Sequence, residues 1–148
     1  MFHPYGLSMM WTVFLMGVLL VPLVFYILTL RRALHLCAPE SRAMSPDSTW
    51  LLLIPLFNVV WHFYVVTSVG RTLHNEFEKR GIRETARPGQ ALGLLTSVLW
   101  LLTWVPFLRI LALLAGLVCW VLYWIKIGDY SAKLAQPAPS SPPPAPAP

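Results

Sequence analysis

Pro55, Asn58 and His62 stand three and four residues apart inside an otherwise apolar stretch, a spacing that puts them along one helix face. Each brings chemistry to that face. Proline removes one helical hydrogen bond and frees the carbonyl of Leu51, Asn58 carries both donors and an acceptor, and His62 can carry a proton near neutral pH. Polar groups placed in hydrocarbon are costly and mark functional sites. The set reads either as a hydrated or ligand-contacting line with His62 as proton carrier, or as plain hydrogen bonding that repairs the proline break.

Little else in the chain is equipped to react. His3, His35, His62 and His74 are scattered, with no His-Glu-x-x-His arrangement, so no metal and no cofactor is expected. No carboxylate lies within an apolar stretch, which argues against carboxylate-driven proton exchange. Thr67, Ser68, Thr96, Ser97 and Thr103 have no base beside them in sequence; Ser97 meets His62 only if the fold joins them, and an intramembrane enzyme is the third choice. Cys37 and Cys119 sit after the first apolar run and inside the last, so no disulfide is expected. Arg71, His74, Asn75 and Glu78 read as a solvated helix face, or as a lipid-headgroup site beside the membrane.

The elements that must position these residues are apolar helices. Met1 to Leu30, Trp50 to Gly70, Ala91 to Leu108 and Ile110 to Ile125 contain no Asp, Glu, Lys or Arg. At about 1.5 Å of rise per residue, runs of roughly 16–22 residues cross or nearly cross a hydrocarbon core of about 30 Å. Charged residues make up 11% of the 148, against about 25% in soluble proteins, and the mean hydropathy is +0.63. The expected fold is all-α: an integral membrane bundle of four transmembrane helices over 1–135, with spans about 8–30, 50–70, 90–107 and 110–127. The Pro/Ala/Ser tail over 136–148 has nothing large to bury and is expected to be disordered. A net charge of +5 carried in loops and helix ends points to lipid headgroups, not to nucleic acid.

Local signals refine these elements. The first helix is expected from Ser8 to Leu34 with a bend at Pro22; lacking a basic start and followed by Arg31-Arg32, it reads as a retained span and not a cleaved signal. Ser45, Pro46 and Asp47 start a second helix that Gly81 stops. From Pro46 to Arg80 that is about 50 Å of helix, longer than the membrane is thick. Beyond Gly70 it is expected to emerge into water or lie along the headgroups, with Leu73 and Phe77 on one face and a Glu76–Arg80 pair elsewhere. Gly89, Gly93 and Ser97 recur every four residues on the third helix, and Ala112, Gly116 and Cys119 lie at similar spacing on the fourth. Small residues at this spacing allow close approach and predict a tight antiparallel hairpin of these two helices, turning at 105–109. Trp50, Trp104, Trp120 and Trp124 fall near span ends, at headgroup level.

Four alternating spans leave Arg31, Arg32, Arg42 and Arg109 opposite seven other basic residues, and put both termini in the cytoplasm. In a rival topology the second segment dips in and returns at Leu53-Ile54-Pro55-Leu56-Phe57-Asn58, which gathers every basic residue but Arg109 on one side.

The run Arg42-Ala-Met-Ser-Pro46 through Trp50-Leu-Leu-Leu-Ile-Pro-Leu-Phe-Asn-Val-Val-Trp-His-Phe-Tyr64 resembles a group of uncharacterised bacterial multi-span proteins catalogued as domains of unknown function. Their pattern is a first span ending in basic residues, a short loop closing in Ser-Pro, and an aromatic segment with Ile-Pro-x-x-Asn; Pro55 and Asn58 fit it, and Tyr123-Trp-Ile-Lys-Ile-Gly-Asp-Tyr130 is also similar. The resemblance implies four membrane helices in a bacterial inner membrane and supplies no activity or site residue. The leading expectation is a non-enzymatic scaffold or subunit of a membrane complex, with the lipid bilayer and a membrane-protein partner or a second copy as its contacts. The alternative is a small oligomeric channel or transporter built around Pro55, Asn58 and His62.

Overall fold

The computed structural model describes residues 4–84 and 87–136. They form α1 (Pro4–Leu36), a 3-10 turn (Pro39–Ser41), a longer 3-10 segment (Pro46–Leu53), α2 (Pro55–Lys79), α3 (Gln90–Leu102) and α4 (Arg109–Ala135), with no strand among them. α1 and α4 are long and apolar enough to cross a membrane; α3 is apolar but shorter. Residues 137–148, most of the expected disordered tail, lie outside the described residues.

The second span departs most from expectation. Ser45, Pro46 and Asp47 do start a helical element, with the Ser45 hydroxyl accepting the Asp47 N–H at 3.4 Å. The element is a 3-10 segment, however, and it stops at Ile54, whose backbone is extended at φ −82°, ψ 111°. Pro55 disfavours helical geometry in the residue before it and suits the first position of a new helix. Pro55 therefore opens α2 and does not bend a running helix, and the Leu51 carbonyl, expected free, accepts the Ile54 N–H at 3.2 Å. The continuous helix from Pro46 to Arg80 is thus two elements. Its stop is as read: Gly81 has φ +65°, and the Ile82 N–H reaches the Phe77 carbonyl at 2.9 Å, closing the helix in the manner glycine favours.

Cross-helix pairs give the directions. Tyr26 of α1 meets His62 of α2, and ten residues further on the Leu36 carbonyl meets Arg80. Thr29 bonds Trp124 of α4, and Arg80 also holds the carbonyl of Leu134. On α3 the order reverses, with Ser97 at His62, Gly93 at Val66 and Gln90 at Gly70. So α1, α2 and α4 run one way and α3 runs against them. Four alternating spans would set α1 against α2, and they do not lie so. The 3-10 segment makes the return, tied near its start by Arg31 to Asp47 at 2.6 Å and to α2 by the Trp61 indole N–H on the Ser48 carbonyl at 3.0 Å.

The packed core occupies one end of the bundle. Ile27, Leu30, Ala33, Val65, Val66, Val69 and Ile127 are fully buried there. Beyond Gly70, α2 does not emerge: Leu73 and Phe77 are buried in this core, and Glu76 beside them is 3% exposed. Glu76 accepts the Ala38 N–H at 2.9 Å and the Arg80 Nε–H at 2.8 Å. Arg80 in turn donates to the carbonyls of Leu134 at 2.7 Å and Leu36 at 3.1 Å, and Arg42 donates to those of Cys37 and His35. Carbonyls at helix C-termini lack helical partners and carry partial negative charge, so guanidinium groups cap them well. The opposite half is apolar and open. Trp11, Phe14, Val18, Val60, Trp104, Phe107, Leu114 and Val118 are all exposed there.

Candidate functional site

Three helices meet at His62. Its Nε2 lies 3.1 Å from the Tyr26 hydroxyl and its Nδ1 2.7 Å from the Ser97 hydroxyl. Ser97 donates to the Gly93 carbonyl one turn back, at 3.0 Å, a common use of serine inside a helix. Assigning the Ser97 proton to that carbonyl makes its oxygen the acceptor, puts the imidazole proton on Nδ1 and leaves Nε2 to accept from Tyr26. Donation therefore runs Tyr26 to His62 to Ser97 to the Gly93 carbonyl. Both imidazole nitrogens are occupied.

Aromatic packing and a missing Cβ hold this row in place. Tyr26 packs edge-on against Trp120 at 5.3 Å between ring centres, and Trp124, 6.3 Å away, is fixed by its indole N–H on the Thr29 hydroxyl at 2.8 Å. Gly93 lets α3 close on its neighbours, since a Cβ there would lie 2.5 Å from Val66 and 3.0 Å from Tyr123.

Above the row lies a cavity of ≈ 350 Å³, whose lining includes Asn58, His62, Tyr26, Trp100, Trp104 and Trp120. Asn58 and His62, read from the sequence as one face, both line it. Pro55 of the same set acts through the backbone, by opening α2. The Asn58 side-chain amide has no protein partner among the described residues.

The small residues divide. Gly89 precedes α3 instead of lying on its face, at φ +72°, where an added Cβ would lie 3.3 Å from the Tyr123 ring. Ala112 is buried, and a Cβ added at Gly116 would lie 3.4 Å from Leu99. Ser97, read as a packing residue, is the hydrogen-bond partner of His62. Sequence reasoning missed Tyr26, a lone hydroxyl within a long apolar run. It also misplaced Glu76 and Arg80, although Leu73, Glu76, Phe77 and Arg80 are spaced along one helix face. Among the described residues no three His, Cys, Asp or Glu side chains gather as a metal site would need.

No protein-family model matches the chain, and no curated protein or solved structure is similar to it.

Proposed function

We propose that this chain is an integral membrane protein that works by binding, with α1, α3 and α4 crossing the bilayer and the 3-10 segment entering it and returning as α2. The distribution of charge supports the topology. All six carboxylates and ten of the eleven basic residues lie toward the packed end, with Arg109 at the other. Residues 110–125 between the two levels span about 24 Å at 1.5 Å per residue. Trp11, Trp104 and Phe107 flank that layer on one side, and Trp50 and Trp124 on the other, as aromatic rings do at headgroup level. Basic residues favour the cytoplasm, which puts the end of α4 inside and the start of α1 outside, in place of two cytoplasmic termini. The resemblance to uncharacterised bacterial proteins makes a bacterial inner membrane the expected setting.

The observation that carries binding over reaction is that both nitrogens of His62 are engaged, by the Tyr26 and Ser97 hydroxyls, beside a cavity lined by no carboxylate. A general base needs a free lone pair facing the nucleophile's proton, and in the tautomer assigned above His62 turns its N–H to Ser97. Flux through one chain finds no route, because Ile27, Val65, Val66 and Val69 close the bundle below His62. The non-enzymatic part of the expectation is retained, and service within a larger membrane complex fits it.

The 2.7 Å contact between His62 and Ser97 favours a second reading, an intramembrane hydrolase reached by turning the hydrogen bonds around. An alkyl fluorophosphonate, which captures activated serine hydroxyls, separates the two. The protein in its membrane is expected to give no adduct at Ser97. An adduct that disappears in both Ser97→Ala and His62→Ala would overturn the binding reading in favour of hydrolysis.

A further inference from the structure

We infer that the cavity takes an uncharged, ring-bearing molecule with a carbonyl or hydroxyl oxygen, drawn from the lipid phase; the inference rests on the binding function proposed above and names its ligand class. The volume of ≈ 350 Å³ falls in the range of about 300–1,000 Å³ typical of small-molecule sites. No charged side chain lines the cavity. A phosphate, carboxylate or ammonium head would lose its water there with no counter-charge to replace it, a cost such a site cannot return.

The polar capacity that remains is specific. Tyr26, His62 and Ser97 spend their hydrogen bonds on one another, so they shape the floor without offering a free group. The Asn58 amide, without a protein partner among the described residues, presents both N–H donors and a carbonyl acceptor at the cavity wall. One neutral oxygen on the ligand satisfies it. Trp100, Trp104 and Trp120 supply flat apolar faces, which pair better with a ring than with a thin acyl chain. Trp104, at the rim, is 68% exposed and lies in the apolar half of the bundle, so entry from lipid needs no charged group to move.

The test uses the full chain in nanodiscs of zwitterionic lipid, with quenching of tryptophan fluorescence by 2-decyl-1,4-benzoquinone as readout. The expected result is saturable quenching that excess decanoate does not displace. Asn58→Ala, which removes no hydrogen bond to another described residue, is expected to weaken it roughly tenfold, as loss of one hydrogen bond does. Unchanged affinity in Asn58→Ala overturns the assignment to Asn58, and equal competition by decanoate overturns the uncharged class. If the quinone merely partitions while 12-bromododecanol quenches saturably, the ring is wrong and the binding function stands. If neither probe saturates, both the ligand class and the binding function fall.

Discussion

Glu76 and His62 are both buried polar side chains, and the fold uses them in opposite ways. His62 lies between two hydroxyls, whereas Glu76 is a carboxylate held by the Ala38 N–H and the Arg80 guanidinium. Burial pushes the Glu76 carboxyl up, but hydrogen bonds from Ala38, Arg80 and Ser41 together with the Arg80 charge more than offset it and leave it below its ordinary 4.5. A folded value below the unfolded one means that the stabilisation is complete above about pH 4.5 and is lost as the pH falls through the folded value. Glu76→Ala also strands Arg80, and because Arg80 keeps some exposure the loss should be about 2–3 kcal/mol, below that of a fully buried broken pair. Thermal melting in detergent at pH 7 should show that drop, with a smaller one for Glu76→Gln, which keeps an acceptor for Ala38. A melt of Glu76→Gln that still lost stability along the same acid limb as the parent chain would exclude Glu76 as its source. Asn58 and His62 were legible because two polar groups at helical spacing stand out in an apolar run. Tyr26 was not, since a tyrosine in such a run reads equally well as an interfacial ring, and only its meeting with His62 gives it a role.

Elements depend on one close approach and one break. Where α3 crosses α2 and α4, Gly93 leaves room for Val66 and Tyr123, both fully buried and one of them β-branched, so neither can yield easily. Gly93→Ala should therefore cost about 1–3 kcal/mol, as overpacking does. Gly17→Ala, with nothing within 4 Å of the added Cβ, should be neutral or gain up to about 1 kcal/mol from helix propensity. Equal melting temperatures for the two variants would show that α3 does not dock as described. The small residues were readable as contact positions, and the start at Ser45 to Asp47 and the stop at Gly81 were readable as boundaries. What lay between them was not. The same start signals open a 3-10 or an α element, and the reversal at Ile54 depends on α1 being there for the 3-10 segment to climb.

For the whole molecule, the ordering of charge and the direction of α2 are one question. Alternating spans divide the basic residues seven to four, whereas the re-entrant path gathers ten against Arg109. Sequence could weigh those counts but not decide between them, because the answer lies in which residue of α2 meets Tyr26. With His62 at Tyr26 and Arg80 at Leu36, α2 runs parallel to α1, and Arg32 near the end of α1 shares a side with Arg83 beyond the end of α2. Single cysteines put this to the test in a Cys119→Ser background. The native Cys37 thiol, buried and pushed up to about 12 chiefly by that burial, stays silent to maleimides. In intact cells a membrane-impermeant maleimide should modify Phe107→Cys, at a position 98% exposed beside Arg109. Arg32→Cys and Arg83→Cys should both react only after the membrane is opened. Four alternating spans predict a different grouping, with Arg32→Cys reacting alongside Phe107→Cys and Arg83→Cys alone protected. That grouping would turn α2 over, pull His62 away from Tyr26 and remove the floor of the cavity.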